Sequence, residues 1–262
     1  MQTFRYGSAT SQVGDLHLPK TAKPPVICLL HGGFWRLPYA RDQYSPIAED
    51  LVRRGYAAWN LEYRRLGEPG GGWPGTLQDV SEGLDHLAKL ETQGIQLDLG
   101  RVVTVGHSAG GQLALWLAGP RRLLGGEPVP RVRVMAAAGQ APAADMQRIY
   151  ELNCSNGVAV EFLEGTQAQQ PERYILASPK ALLPLGVPQL VVQGSADDTV
   201  IADIGREYAR AAHEAGDTVK YVEMPGTGHF EHLDPKGDAW RIVVMWLEDL
   251  LQNDLKTTRV IV

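Results

Sequence analysis

The sequence predicts an α/β fold, a mostly parallel, doubly wound sheet of about eight strands with helices on both faces. Apolar runs of strand length alternate with amphipathic helical segments along most of the chain. Strands that alternate with helices pair in parallel, because each helix returns the chain to the same end of the sheet. The chain has 262 residues without an internal break in composition, so we expect one domain over 1–262.

The elements follow from hydrophobic spacing. A short antiparallel strand segment around 15–18, predicted from alternating side chains, comes first. It is followed by a buried strand over 26–30, a helix over 43–54 that ends at Gly55, and a strand over 56–61. The remaining predicted elements are helix 76–92, strand 101–105, helix 108–118, strands 131–138 and 188–193, helix 201–215, strand 218–223 and helix 238–252. In such sheets, reactive loops lie at the carboxyl ends of the strands.

A strand, a tight turn and a helix follow one another around Ser108. The apolar run 101–105 leads into Gly-His-Ser-Ala-Gly at 106–110, and a helical pattern follows. Flanking glycines let the backbone turn sharply, so the hydroxyl stands above the sheet and the helix N-terminus points at it. The pattern predicts Ser108 as a nucleophile that needs a nearby base. We expect the side chain of the adjacent His107 to point away from the reaction.

An acid and a base follow two later strands. The strand over 188–193 continues into Gly-Ser-Ala-Asp at 194–197, and the strand over 218–223 is followed by Gly-Thr-Gly-His at 226–229. His229 is the predicted base, and Asp197 is predicted to orient its imidazole and stabilise the imidazolium. The nucleophile, the acid and the base each come just after a strand, in the chain order Ser, Asp, His.

Neighbouring residues leave alternatives for the acid and the base. Asp198 is adjacent to Asp197, Asp145 is a candidate if the acid follows the strand over 131–138, and His232 lies three residues beyond the predicted base. The pair of histidines with Glu231 also invites a metal site. Two histidines without a third ligand nearby do not build a zinc site, so we expect neither metal nor cofactor.

The His-Gly-Gly-Phe-Trp loop after the first buried strand is the predicted oxyanion loop. Acyl transfer develops negative charge on the substrate oxygen, and this charge must meet preorganised donors. We expect these donors to be the backbone N–H of Ala109 and those of Gly33 and Phe34. Because Gly32 and Gly33 have no side chain, the backbone of the loop can approach the substrate closely. The aromatic side chains of this loop, including Trp35, are expected to form part of the pocket wall, with packing beside the core strand as the alternative.

At these motifs, the chain resembles the α/β-hydrolase family, and within it esterases with a His-Gly-Gly-aromatic loop. The similarity runs from His31 to His229 and is nearest to bacterial feruloyl or carbohydrate-ester esterases and to kynurenine formamidases, which carry His-Gly-Gly-Tyr-Trp. The resemblance implies that the acid is Asp197, three residues after the glycine. Asp198 is then expected to cap the helix near 201 or to face water. It also implies that His31 fixes its own loop by hydrogen bonding.

Composition restricts the partners. A formal net charge of −5 lacks the basic footprint of a nucleic-acid binder. We find neither an apolar leader segment nor an apolar run near the ~18 residues of a membrane span. We therefore expect a cytoplasmic protein with a small-molecule substrate, whose oligomeric state the sequence leaves open. Cys28 lies in a core strand and Cys154 in a polar loop, and neither is placed as a nucleophile or metal ligand.

These features predict a serine hydrolase that cleaves small carboxylic esters through an acyl-enzyme. One alternative is an aryl formamidase that uses the same three residues on an N-formyl amide, and another is a binding protein of the same fold without turnover. A role for Arg36 in holding a substrate carboxylate stays open. The segment 140–183 lacks strong periodicity, and we expect it to form a partial lid, with an ordinary surface excursion as the alternative.

Overall fold

Eight strands form one sheet in the computed structural model of the protein, which describes residues 1–119 and 131–258. The strands are β1 (Gln2–Arg5), β2 (Val13–His17), β3 (Pro25–Leu30), β4 (Ala57–Leu61), β5 (Asp98–His107), β6 (Ala136–Gln140), β7 (Gln189–Gly194) and β8 (Val219–Met224). Their spatial order is β1-β2-β4-β3-β5-β6-β7-β8. Pairing is antiparallel from β1 through β2 to β4 and parallel from β4 to β8. The predicted α/β sheet of eight strands is confirmed.

Helices connect most of the parallel strands. They are α1 (Ser45–Arg53), α2 (Gly75–Thr92), α3 (Ala109–Ala118), α4 (Met146–Glu151), α5 (Cys154–Leu163), α6 (Pro171–Ala177), α7 (Ala202–Glu214) and α8 (Asp238–Thr258). The described residues also contain three 3-10 turns, at Arg41–Tyr44, Pro179–Leu182 and Glu231–Leu233. The helix predicted over 43–54 is therefore a 3-10 turn followed by α1, whose first turn contains a proline.

The sheet is packed on both faces, because successive side chains of β3 point in opposite directions. Val26, Cys28 and Leu30 join one apolar cluster that includes residues of α2, α3 and α5. Ile27 and Leu29 join a second cluster with α1 and α8. A strand buried on both faces reads as a continuous apolar run, which is why the sequence located β3.

The strand predicted over 131–138 begins later than expected, at Ala136, and extends to Gln140. The residues before it approach the sheet without forming a regular ladder. The amide of Val132 donates to a carboxylate oxygen of Asp85, and the amide of Met135 donates to the carbonyl oxygen of Val102. An apolar composition predicts burial here, but the hydrogen-bond partners decide where the strand begins.

The segment 140–183 contains α4, α5, α6 and one 3-10 turn. Its apolar side chains, among them Val158 and Phe162, are buried in the cluster beside α3. The regular part of α5 begins after Gly157, because the backbone of residues 155–157 has left-handed dihedral angles. The segment is thus packed against the region that contains Ser108, and its role as a partial lid stays a prediction.

Among the residues that the structure describes, no helix is both long enough and apolar enough to cross a bilayer.

Candidate active site

Ser108 occupies the turn between β5 and α3 with φ 57° and ψ −120°, a strained conformation for a residue with a side chain. Two hydrogen bonds hold this turn: the amide of Ser108 donates to the carbonyl of Gln140 at 2.9 Å, and its carbonyl accepts from the amide of Gln112 at 3.1 Å. Added Cβ atoms at Gly106 and Gly110 would collide with backbone atoms. The flanking glycines are therefore required for the turn.

Asp197 and His229 are brought together from the loops after β7 and β8. The Nδ1 of His229 lies 2.7 Å from Oδ2 of Asp197, and both residues are buried. Since Nδ1 faces a carboxylate, it carries the hydrogen, which leaves Nε2 of a neutral ring free to accept a proton.

The remaining donors around Asp197 keep its carboxyl ionised. Oδ1 accepts from the amides of Thr199 and Val200, and Oδ2 also accepts from the side-chain amide of Gln193 at 3.0 Å. Burial alone would raise the pKa of Asp197, but the hydrogen bond and charge of His229 and these backbone amides lower it below its ordinary value. Gln193 is a neighbour that the sequence did not identify, although a glutamine at the end of the apolar run 190–192 was the available signal.

The rival acids lie elsewhere. Asp198 is exposed and accepts from the hydroxyl of Thr199. It does not cap the following helix, because Ile201 is the N-cap residue of α7 and no side chain caps that helix end. Asp145 instead caps α4 through the amide of Arg148. Of the three aspartates, Asp197 is the one hydrogen-bonded to His229.

His232, the rival base, is fully buried, and both of its ring nitrogens lack a hydrogen-bond partner among the described residues. Burial and the charge of His229 lower its pKa to about 4. Within the ranges 1–119 and 131–258, no group of three or more His, Cys, Asp or Glu side chains is arranged to hold a metal ion.

His107 links the serine turn to the histidine loop. Its Nε2 lies 2.8 Å from the carbonyl oxygen of His229, and the two imidazole rings are 4.6 Å apart. The hydroxyl of Ser108 makes no hydrogen bond to a residue that the structure describes. The contact between the serine turn and the His229 loop is therefore made by His107 and not by a bond from Ser108 to His229. Catalytic hydrogen bonds are often loose in the absence of substrate.

The predicted oxyanion loop lies directly against Ser108. A Cβ atom added to Gly32 would stand 2.9 Å from the carbonyl oxygen of His107 and 3.2 Å from Cβ of Ser108. The φ angles of Gly33 and Phe34 are 106° and 56°, and the loop is closed by a 2.9 Å bond from the amide of Arg36 to the carbonyl of Gly33. Within the described chain, the amides of Gly33, Phe34 and Ala109 donate to no protein acceptor. Unused donors beside a serine are what a developing oxyanion requires.

The two aromatic residues of the loop have different environments. Phe34 is half-buried near Tyr39. Trp35 is 2% exposed, stacks on Phe162 at 4.7 Å, and donates from Nε1 to Gln112. The structure thus places Trp35 in the core rather than at an open pocket wall, because the indole gains both apolar packing and a hydrogen-bond partner there.

Arg36 is engaged with α5. Its Nε donates to Glu161 at 2.7 Å, and its Nη1 donates to the carbonyl and the hydroxyl of Ser155. These contacts tie the oxyanion loop to the segment 140–183. A substrate carboxylate would have to compete with Glu161 for this guanidinium.

His31 and Glu62 form a buried pair beneath the loop. The Nε2 of His31 lies 2.8 Å from Oε1 of Glu62, and its Nδ1 lies 2.7 Å from the carbonyl oxygen of Gly32. Tyr63 stacks on the imidazole with the ring centroids 4.4 Å apart, and its hydroxyl donates to the carbonyl oxygen of His31. The family resemblance implied that His31 fixes its own loop, but not that Glu62 is its partner.

The sheet order, the strand-turn-helix at Ser108 and the loops that follow the carboxyl ends of β3, β7 and β8 define the α/β-hydrolase fold. The chain belongs to the BD-FAE family of α/β-hydrolase esterases, which it matches over residues 15–210.

Solved structures agree on the fold. A truncated carbohydrate esterase from gut microbiota superposes with a TM-score of 0.78 and 20% identity, covering 95% of this chain and 96% of that one. The thermophilic esterase Est2 from Thermogutta terrifontis gives a TM-score of 0.78 and 20% identity, with coverages of 95% and 91%.

One curated relative is much longer than this chain. Acylamino-acid-releasing enzyme 2 from Oryza sativa subsp. japonica is 27% identical over 219 residues, which cover 78% of this chain and 27% of the relative. The chain thus spans about a quarter of the length of that relative.

Proposed function

We propose that this protein is a serine carboxylesterase that cleaves small carboxylic esters through an acyl-enzyme, with Ser108 as nucleophile, His229 as base and Asp197 as the acid that orients it. The observation that carries the proposal is the 2.7 Å bond between Asp197 and His229 on loops that adjoin the strained turn at Ser108. A strained residue at the tip of a strand-turn-helix marks a functional position, because folding alone gives no reason to retain the strain.

The first half of the reaction forms the acyl-enzyme. The hydroxyl oxygen of Ser108 attacks the ester carbonyl, and Nε2 of His229 takes its proton. The oxyanion of the tetrahedral intermediate is met by the unused amides of Gly33, Phe34 and Ala109. The C–O bond to the alcohol then breaks, and His229 returns the proton to the leaving alkoxide.

The second half releases the acid. Water attacks the acyl-serine, and His229 takes a proton from that water. The second intermediate then collapses to the carboxylic acid, and His229 returns the proton to the departing oxygen of Ser108. Asp197 stays ionised throughout and stabilises the imidazolium in both halves, consistent with the lowered pKa of its carboxyl. Neither half of this reaction calls for a cofactor.

The test compares Ser108→Ala with Ser8→Ala, a substitution at an exposed serine far along the chain from the site. We expect Ser108→Ala to lose covalent labelling by a fluorophosphonate and to lower kcat for an activated short-chain aryl ester by several orders of magnitude, with an unchanged melting temperature. Ser8→Ala should behave like the unaltered protein. Full ester turnover by Ser108→Ala would overturn the proposed mechanism.

The substrate class needs a second measurement. We expect kcat/KM to be higher for short acyl esters than for an N-formyl aryl amide, because ester cleavage is the activity of the family to which the chain belongs. Preference for the formyl amide would assign a formamidase that uses the same residues. Labelling without multiple turnover on any ester or amide would assign a ligand-binding protein.

A further inference from the structure

The hydrogen-bond partners of His31 determine its charge. Its Nδ1 faces the carbonyl oxygen of Gly32 at 2.7 Å, and its Nε2 faces Oε1 of Glu62 at 2.8 Å. A carbonyl oxygen only accepts hydrogen bonds, and an ionised carboxylate also only accepts them. A neutral imidazole has one N–H and satisfies one of these acceptors, whereas an imidazolium satisfies both.

The surroundings of Glu62 show that its carboxyl is ionised. Oε1 also accepts from the amide of Tyr63 at 3.1 Å, and Oε2 accepts from the amide of Arg41 at 3.0 Å. The guanidinium groups of Arg41 and Arg65 lie 3.7 and 3.5 Å from the carboxylate. Burial by itself would raise the pKa of Glu62, but the hydrogen bond and charge of His31, the charge of Arg65 and the amide of Arg41 lower it. The neighbours of Glu62 other than His31 are two backbone amides and two guanidinium groups, all of them donors, and this favours the ionised carboxylate over a carboxyl that donates to Nε2 of His31.

The aromatic neighbour fits the same charge. The ring of Tyr63 lies parallel to the imidazole, with an interplanar angle of 4° and centroids 4.4 Å apart. A cation over the face of a tyrosine is stabilised by the ring quadrupole, and the interaction strengthens when both groups are out of water. His31 is fully buried and Glu62 is 2% exposed, so the pair is shielded from solvent.

The bond to Gly32 transmits this charge to the oxyanion loop. The carbonyl of Gly32 and the N–H of Gly33 belong to one planar trans peptide group, in which the two bonds point in opposite directions. Holding the carbonyl toward His31 therefore fixes the N–H on the opposite side. A donor on the carbonyl also polarises the amide, and hydrogen bonds in such a chain strengthen one another by roughly 10–30% per bond.

We infer that His31 is held as an imidazolium by Glu62 and acts as a positioning residue, which orients and polarises the Gly32–Gly33 peptide so that the N–H of Gly33 becomes a stronger oxyanion donor. This inference rests on the proposed function for its effect on catalysis. The charge state of His31 does not depend on that function. Glu62 belongs to the same device, because it holds the positive charge in place.

The charge state can be measured directly by NMR of the full chain labelled with ¹⁵N-histidine. The chain has seven histidines, and the signals absent from His31→Gln identify those of His31. We expect both ring nitrogens of His31 to be protonated near neutral pH, in the unaltered protein and equally in Ser108→Ala. A ring with one protonated and one bare nitrogen would overturn the inference.

The effect on catalysis is tested with Glu62→Gln against Glu91→Gln, a matched change at an exposed position of α2. Loss of a whole oxyanion donor costs about 10²–10³ in kcat. Weakening one donor is expected to lower kcat about 10-fold with KM within about twofold, while Glu91→Gln changes neither.

Two kinetic results for Glu62→Gln would count against the role of His31. An unchanged kcat in a folded Glu62→Gln, or a KM that rises while kcat stays constant, would contradict the polarising role. If Glu62→Gln does not fold, the ring-nitrogen measurement on the unaltered protein still decides the charge state of His31. Full turnover by Ser108→Ala together with a protonated His31 would reject the proposed function alone.

Discussion

The Nε2 of His107 donates to the carbonyl oxygen of His229 over 2.8 Å. This bond joins the residue before the strained turn at Ser108 to the loop after β8. Because a carbonyl oxygen only accepts, Nε2 carries the hydrogen, and Nδ1 is buried without a partner among the described residues. His107 is thus a neutral donor that holds the backbone of His229.

Replacement of His107 by phenylalanine should displace His229. The substitution keeps an aromatic ring but leaves the buried carbonyl of His229 without its donor, which costs about 1–3 kcal/mol. We expect a lower melting temperature and a lower kcat on an activated ester, with His213→Phe, at an exposed position of α7, as the control. A His107→Phe variant with unaltered kcat would show that this bond does not position the base.

Acid should destabilise the protein through His107 and His232. Burial, followed by the charge of His229, lowers the pKa of both rings, to about 4 for His232. The charges of Asp197 and Glu231 act on His232 in the opposite direction, without offsetting burial. Both rings are therefore neutral in the folded protein, while in the unfolded chain each gains a proton below about pH 6.5.

The free energy of unfolding should decrease as the pH falls below neutral. Because the unfolded state binds more protons, the stability contributed by His232 is fully present above about pH 6.5 and is lost as the pH falls toward about 4. At pH 5, the loss amounts to about 2 kcal/mol for this residue. Urea unfolding at several pH values checks this, and His232→Leu should flatten the dependence. A free energy of unfolding that stays constant from neutral pH to pH 5 would contradict it.

Two adjacent aspartates should differ in their effect on turnover. Asp197→Asn should favour the wrong tautomer of His229 and lower kcat by up to ~10⁴, because the ring loses the carboxylate that holds its Nδ1 hydrogen. Asp198→Asn should be mild, since that side chain is exposed and accepts only from Thr199. Both variants are measured on one activated ester, with a thermal melt to confirm folding. A severe defect in Asp198→Asn beside a near-normal Asp197→Asn would reverse the assignment.

Gly32→Ala should damage the oxyanion loop. The added Cβ would lie 2.9 Å from the carbonyl oxygen of His107 and 3.2 Å from Cβ of Ser108, so the loop must move away from the serine. When the loop moves, its N–H donors no longer face the oxyanion, and the transition state loses their stabilisation. We therefore expect kcat to fall about 10²-fold or more. Gly100→Ala is the control, because its nearest contact is the flexible side chain of Asp98 at 3.3 Å. Equal kcat values for the two variants would argue against a loop that supplies oxyanion donors.

Asp79→Ala should be strongly destabilising. The carboxylate is fully buried and accepts from Nε and Nη2 of Arg64, from the Arg64 amide, and from Gln12. Removing the carboxylate leaves these partly buried donors without their acceptor, at a cost of about 1–3 kcal/mol for an unsatisfied group. The control is Asp203→Ala, which breaks an exposed pair with Arg206 and should leave the melting temperature unchanged. Equal melting temperatures for the two variants would contradict the prediction.

The order of strands and helices was predictable because it rests on local periodicity. The apolar runs located β3, β5 and β7, and glycines and a serine in a short motif located the turn before α3. Boundaries were less predictable where pairing decides them, as at β6. The sequence did not decide between a pocket wall and core packing for Trp35, because its stacking on Phe162 joins residues far apart in the chain.

In the candidate site, too, some features follow from the local sequence and others from tertiary contacts. The sequence by itself determined that a serine, an aspartate, a histidine and a glycine-containing loop follow the carboxyl ends of strands, because those positions depend on neighbouring residues alone. Only the tertiary structure decided which groups meet: Glu62 with His31, and His107 with the carbonyl of His229. Charge states and tautomers depend on such partners, which the packing of distant strands brings within hydrogen-bond distance in a water-free interior.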